Sequence, residues 1–301
     1  MNELGDIMST GKIIDAVRIG NKWVGEGHPC YIIAEIGINR NGDIDLARRL
    51  ISVAVAAGCD AVKFQKRTVD VVYSADELSR PRESPFGTTN GDLKRGLEFG
   101  YDEYRLIARY CREVKMPWFA SCWDEGAVDF MCQFDPPCFK IASASLTDDA
   151  LLRHTRSQGK PIILSTGMST VEEIDHAVEV LGRDDLLLLH ACSAYPAHYD
   201  ELNLRAIPTL HNRYQVPVGY SGHETGLPAT VASIALGASC IERHITLDRA
   251  MWGSDQAASV EPNGVARLVR DIHTAERAMG DGVKRVLESE VPILKKLRRV
   301  G

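Results

Sequence analysis

Apolar and polar positions recur along this chain in a fixed order. A short apolar run ends in polar residues, a longer stretch with helical spacing follows, and the order begins again. Tyr31–Ile36 (YIIAEI) is apolar apart from Glu35, as in a parallel strand buried on both faces. Asp45–Ala57 repeats its apolar residues at helical spacing, and Gly58 supplies a C-terminal stop. Ala61–Gln65 (AVKFQ) reads as a second strand. Six further strand-like runs follow: Trp118–Ser121, Cys138–Ala142, Pro161–Ser165, Leu186–His190, Val218–Tyr220 and Cys240–His244. Helical segments include Tyr101–Val114, Val171–Leu181, Leu227–Leu236 and Val265–Met279. Eight such units predict an α/β protein whose parallel sheet closes as a (β/α)8 TIM barrel. A doubly wound open sheet is the competing arrangement. No G-x-G-x-x-G follows the first strand, which counts against its dinucleotide-binding version.

The remaining stretches flank this repeat. Residues 1–12 are small and polar and predict a mobile tail. Within residues 13–30, Ile13–Ile19 and Trp23–Val24 flank Gly20-Asn21, the pattern of an N-terminal β-hairpin. The barrel is expected over 31–285 and a charged C-terminal tail over 286–301. The polar stretch Ser84–Gly91 is long for a compact domain and predicts an active-site loop.

Composition narrows the partners. The 301 residues fit one barrel, and 45% hydrophobic with 25% charged residues is ordinary for a globular chain. A net charge of −6 argues against a nucleic-acid partner. No apolar run approaches the roughly 20 residues that span a bilayer, so no membrane role is expected. The first residues lack the pattern of a signal peptide. Eight cysteines occur without a C-x-x-C, which reads as reduced, mostly buried thiols in a cytoplasmic protein.

Barrel chemistry sits at the C-terminal ends of the strands. Lys63 and Lys140 lie inside apolar strands, where an unpaired ammonium is costly. Each either pairs with a carboxylate such as Glu35 or Glu242, or faces an anion. Together with Ser121, Ser143, Ser165 and Ser221 they read as a cradle for a phosphate. His223 and His244 close the last two strands, with Glu242 and Asp255 nearby, a group suited to a divalent metal with an open position. A phosphate site beside a Lewis-acid site implies a phosphorylated small molecule and a carbonyl to be polarised.

Ordered motifs carry a resemblance over about residues 13–300. They are AEIGINRNG at Ala34–Gly42, VKFQK at Val62–Lys66, FKIASAS at Phe139–Ser145, ILSTGMST at Ile163–Thr170, HACSAYP at His190–Pro196, VGYSGHETG at Val218–Gly226, IERHITLD at Ile241–Asp248 and GSDQAAS at Gly253–Ser259. With these the chain resembles the sialic acid synthase family, and its GYSGHE form is similar to the branch that makes sugar 9-phosphates. The resemblance implies a barrel enzyme of the transferase type. Such an enzyme condenses phosphoenolpyruvate with N-acetylmannosamine or its 6-phosphate to a nine-carbon 2-keto-3-deoxy acid. It also implies a homodimer. His223 and His244 match the metal ligands; the ion suits manganese, with magnesium, cobalt or zinc as alternatives. Lys63, Ser121, Lys140, Ser143, Ser165 and Ser221 match the phosphoenolpyruvate contacts. Gln65 and Tyr195 match residues around the sugar and reacting carbons, as do Glu35, Glu242 and Asp255, any of which could activate the water.

The chain departs from the family pattern on the acceptor side. Arg40 stands where a histidine is usual, Ser145 where an acidic residue faces the acceptor, and Gln256 where a histidine is common. The sequence ends at Gly301, where a linker to a C-terminal antifreeze-like domain would begin in most members. These differences leave three readings open: the family reaction, a phosphoenolpyruvate-dependent synthase for another aldehyde sugar, or an inactive sugar-phosphate-binding homologue. For a phosphorylated acceptor, Arg40 is expected to supply positive charge and Ser84–Gly91 to form a lid.

Overall fold

The eight strand-like runs form eight parallel strands, paired in chain order. They are β1 Tyr31–Glu35, β2 Ala61–Lys66, β3 Trp118–Cys122, β4 Phe139–Ile141, β5 Ile162–Ser165, β6 Leu186–Ala191, β7 Val218–Gly222 and β8 Cys240–His244. In this computed structural model, which describes residues 14–300, β8 pairs with β1 and closes the barrel. The tail expected over residues 1–12 lies outside the described residues. The register from Cys240↔Tyr31 to His244↔Glu35 leaves no open edge, so the open-sheet alternative does not apply.

Strand alternation divides the side chains between two environments. Ile32, Ala34, Val62, Phe64, Ile162 and Leu164 pack outward in one apolar cluster with helices such as Ile44–Ala57 and Pro262–Met279. Tyr31, Ile33, Ala61, Phe119, Cys138, Ile163, Leu187, Leu189 and Cys240 form a second cluster inside the barrel. Val17, Ile19 and Val24 of the N-terminal hairpin belong to that inner cluster. The hairpin (Ala16–Ile19 with Lys22–Gly25) therefore plugs the N-terminal mouth. Continuing the same alternation, the next inward positions are Glu35, Lys63, Ser121, Lys140, Ser165, Ser221 and Glu242. The polar layer thus rests on a dry apolar floor.

The segment after β2 differs from the expected loop. Pro81–Ser84 and Gly87–Thr89 form a second antiparallel hairpin, and Asn90–Leu97 is a helix. Thr89 and Asp92 form a capping box at the start of that helix. Phe86, at the hairpin tip, wedges against the backbone of two glycines. A Cβ on Gly96 would stand 2.2 Å from the Phe86 ring, and Gly42 (φ +71°) would meet Gly96 O at 2.4 Å. The charged C-terminal stretch contains a short helix, Val291–Leu297, with no buried residue. No helix among the described residues is long and apolar enough to cross a membrane.

Candidate active site

A cavity of about 160 Å³ lies over the polar layer. Its lining includes Lys63, Gln65, Ser121, Lys140, Ser143, Ser165, Tyr195, Ser221, His223, Glu242 and His244. Seven of the strands, β2 to β8, and the loops that follow them thus bring eleven of the sequence-derived site residues around one space. Glu35 and Asp255 join them through contacts instead of as lining. Glu35 reaches Lys63 at 3.1 Å, and Asp255 lies 3.7 Å from His244 Nδ1.

The two lysines meet different surroundings. Lys63 Nζ donates to Glu242 Oε1 at 2.9 Å and to Ser121 Oγ at 3.0 Å, besides its pairing with Glu35. The neighbouring-carboxylate alternative is realised at this position. Burial opposes the Lys63 charge, but Glu242 and Glu35 outweigh burial and raise its pKa. Lys140 Nζ donates to Ser165 Oγ at 2.5 Å and to the Ile141 carbonyl at 3.1 Å. Among the described residues no carboxylate lies within 4 Å of it. Burial, reinforced by Lys63, lowers its pKa to about 8, against the pull of Glu242 and Glu35. An ammonium kept this dry without a counter-ion is costly, and an anion placed beside it would relieve that cost.

The carboxylates are polarised by the same arrangement. Burial lifts Glu35 to about 7, with repulsion from Glu242 adding to it and Lys63 opposing it. Gln65 Nε2 donates to Glu35 Oε1 at 2.9 Å. Burial pushes Glu242 the same way, yet Lys63 and Lys140 together hold it well below the usual carboxylate range. The pair therefore contains one fixed anion and one group that titrates near neutrality.

The imidazoles stand beside this pair, ring centroids 5.6 Å apart. His223 Nδ1 donates to the Cys192 carbonyl at 2.6 Å, which fixes its tautomer and leaves the Nε2 lone pair facing inward. The Tyr195 hydroxyl donates to that Nε2 at 2.9 Å. Burial lowers His223 to about 4, helped by His244, and lowers His244 as well. In both rings burial favours the neutral form. His244 Nδ1 is buried without a hydrogen-bond partner, an orphaned donor atom that fits a metal ion. No three His, Cys, Asp or Glu side chains among the described residues assemble as a ready ligand set. Of the four-residue group inferred from sequence, Glu242 instead faces Lys63, while Asp255 stands 3.7 Å from His244 Nδ1.

Loops contribute residues that strand ends did not reveal. Trp123, Ala144 and Met168 also line the cavity, beside Ser193, which the strand ends did indicate. Gly167 permits the approach of two hydroxyls: a Cβ there would stand 2.3 Å from Ser193 Oγ and 2.8 Å from Ser143 Oγ. Cys192 acts through its carbonyl, which no side-chain pattern reports. By contrast His190, although at a strand end, bonds the Leu202 carbonyl at 2.7 Å and stays outside the lining.

The acceptor-side departures prove structural. Arg40 is 1% exposed, donates to the Gly37 and Leu97 carbonyls, and lies 4.0 Å over the Phe99 ring. It is a pillar under the first loop, not a charge offered to a ligand. Gln256, also 1% exposed, ties the last loop to the first. Its Nε2 donates to the Asn39 carbonyl at 3.2 Å and the Trp252 carbonyl at 3.3 Å. Ser145 is buried in a 3-10 turn and does not line the cavity.

Known proteins match this arrangement in sequence and in fold. The NeuB family matches residues 50–284. Human N-acetylneuraminate-9-phosphate synthase is 41% identical over 281 residues, covering 92% of this chain and 78% of that protein. The N,N'-diacetyllegionaminic acid synthase of Legionella pneumophila is 33% identical, covering 93% and 82%. Among solved structures, the N-acetylneuraminic acid synthetase of Leptospira borgpetersenii superposes with a TM-score of 0.84 at 30% identity, covering 96% of this chain and 99% of that one.

Proposed function

Because the chain belongs to the NeuB family, we propose that it condenses phosphoenolpyruvate with an N-acetylmannosamine-type sugar or sugar phosphate, giving a 2-keto-3-deoxy sugar acid and free phosphate. One observation carries the reading: the Lys140 ammonium is buried without a carboxylate partner, at the foot of a serine-lined cavity beside two neutral imidazoles.

Lys140 holds the phosphoenolpyruvate anion, and Ser121, Ser143, Ser165 and Ser221 provide hydroxyl donors around it. Held in this way, its C3 attacks the aldehyde carbon of the acceptor, forming the new C–C bond and leaving cationic character at C2. Water adds at C2, and the tetrahedral intermediate breaks its C–O bond to phosphate. Glu35, lifted by burial to about 7 and held beside Lys63 at 3.1 Å and Gln65 at 2.9 Å, takes the proton from that water. Glu242 stays ionised and fixes the position of Lys63. A divalent ion, with manganese the first candidate, would be held by His223 and His244 and would supply Lewis-acid stabilisation of the acceptor's aldehyde oxygen. The free, mostly buried thiols support the cytoplasmic setting inferred from sequence.

The test is phosphate release from phosphoenolpyruvate across a panel of aldehydes. Release that depends on an N-acetylhexosamine or its phosphate, with matching 2-keto-3-deoxy acid, is expected. Release only with other aldehydes would establish the alternative acceptor, and none with any aldehyde would leave the inactive homologue.

A further inference from the structure

The two imidazoles of the site stand back to back with a buried ion pair. His223 directly follows β7 and His244 ends β8. Alternation turns Ser221 and His223, and Glu242 and His244, toward the cavity. Gly222, Glu224 and Arg243 fall on the other side and do not line it. Glu224 is the residue after His223, and Arg243 is the residue before His244. Both are buried, Glu224 at 0% and Arg243 at 2% exposure.

Their contact is part of a closed network. Arg243 Nη1 donates to Glu224 Oε1 at 3.0 Å, to Thr230 Oγ1 at 2.6 Å and to the Gly226 carbonyl at 2.9 Å. Arg243 Nη2 donates to the Glu224 carbonyl at 2.7 Å. Thr230 Oγ1 in turn donates to Glu224 Oε1 at 2.6 Å, and the Tyr220 hydroxyl donates to Glu224 Oε2 at 2.9 Å. One guanidinium on β8 thus grips both the side chain and the main chain of the loop after His223. The register leaves space for it only beside a glycine. Gly222 pairs with Arg243, and a Cβ there would stand 2.7 Å from Glu224 Oε2 and 2.9 Å from Arg243 Cδ.

Stability alone does not call for such a pair, because well-packed apolar residues of similar volume often serve a fold as well. What the pair adds is direction, since the planar fork of an arginine binds its acceptors at fixed angles. No hydrogen bond holds His244 Nδ1, so that ring depends on the backbone that carries it. We propose that Glu224, Arg243 and Thr230 are positioning residues: they lock the loop after β7 to β8 and so set His223 and His244 at the separation and angle that a shared divalent ion requires. The proposal rests on the two-imidazole metal reading and names what aims those ligands.

Cobalt(II) binding to the full chain tests it, because the visible absorption of the ion reports both affinity and ligand geometry. Glu224→Gln and Thr230→Val should each raise the cobalt Kd by about tenfold or more and alter the absorption band, with the KM for phosphoenolpyruvate unchanged. Thr230→Ser keeps the hydroxyl and should bind cobalt as the native protein does. Thr230→Val leaves both charges in place, so it carries the test if Glu224→Gln does not fold. Native cobalt affinity and absorption in the folded variants overturn the proposal, even where the melting temperature falls, and make the pair a structural one. An equal weakening of phosphoenolpyruvate, or a Thr230→Ser protein as impaired as Thr230→Val, overturns it too. Each of these results leaves the metal reading standing. A native protein that binds no cobalt removes that reading, and this proposal with it.

Discussion

Lys140 and Lys63 occupy equivalent inward positions two strands apart, yet only Lys63 is neutralised: it touches Glu35 and Glu242 within 3.1 Å, whereas Lys140 bonds only Ser165 and a carbonyl. A buried charge without a partner destabilises a fold and is relieved by an apolar isostere. Lys140→Met should therefore hold or raise the melting temperature while raising the KM for phosphoenolpyruvate by about tenfold or more, since a charge-assisted bond is worth about 1.5–3 kcal/mol. A lower melting temperature with unchanged KM would make Lys140 a structural residue.

Lys63→Met should do the opposite to the fold. It leaves Glu35 and Glu242 facing each other in a dry interior, and breaking a buried ion pair from one side costs about 3–5 kcal/mol. Denaturant unfolding should show a loss of that order. The triple variant Lys63→Met, Glu35→Gln, Glu242→Gln should recover most of it, because no uncompensated charge then remains.

Both lysines were legible in the sequence because period-two alternation carries information about direction. A lysine at the inward register of an apolar strand must meet either a carboxylate or a ligand, and the chain contains one of each. The barrel was legible for the same reason, since every strand falls within two residues of its apolar run. Loops carry no such period. Arg40 was misread because a loop side chain's direction depends on local dihedrals, here Gly37 at φ 48° and Asn41 at φ 50°, and on a distant ring, Phe99. The hairpin and helix start within Ser84–Gly91 went unread: the Phe86 wedge joins segments far apart in sequence, whereas the Thr89–Asp92 capping box has a local T-x-x-D signature that was passed over. The Glu224–Arg243 ion pair at 3.0 Å, both partners buried beside the site, also went unread. Arg243 faces outward on β8, where the apolar pattern offers no partner for it.

The pH profile of kcat/KM for phosphoenolpyruvate should be a narrow bell. Glu35, raised to about 7, accepts a proton only once ionised, so activity should rise with pH through that region. Lys140, lowered to about 8, loses its charge above that value, so anion binding should fall as pH rises further. Lys140→Gln should lower the whole curve and remove the alkaline limb. A limb that persists in that variant would assign the titration to another group.

Metal dependence has a readout independent of turnover. Binding to the folded state alone raises stability by about 2.7 kcal/mol at a hundredfold excess over Kd. Manganese should therefore raise the melting temperature of the native protein, and chelator should reverse that rise and abolish phosphate release. His223→Ala combined with His244→Ala should show no thermal response and no bound metal by elemental analysis. A full response in that double variant would place the metal elsewhere.

Gln256 joins the loop after β1 to the loop after β8, so its replacement should reach the acceptor before it reaches phosphoenolpyruvate. Its amide nitrogen satisfies the Asn39 and Trp252 carbonyls, and its oxygen accepts from Thr246 Oγ1. Gln256→Ala removes all three contacts in a fully buried setting, which should cost about 1–3 kcal/mol. Freed from this tie, residues 252–255 should hold the acceptor less well, raising its KM while that of phosphoenolpyruvate stays constant. Gln256→Glu should be worse than alanine although it is closer in size. The carboxylate keeps an acceptor for Thr246 but turns a second oxygen on two backbone carbonyls, replacing a donor with a repulsive contact. Denaturant midpoints and the two KM values for the three proteins decide the matter. If glutamate proves the milder change, the amide nitrogen does not hold the loops together.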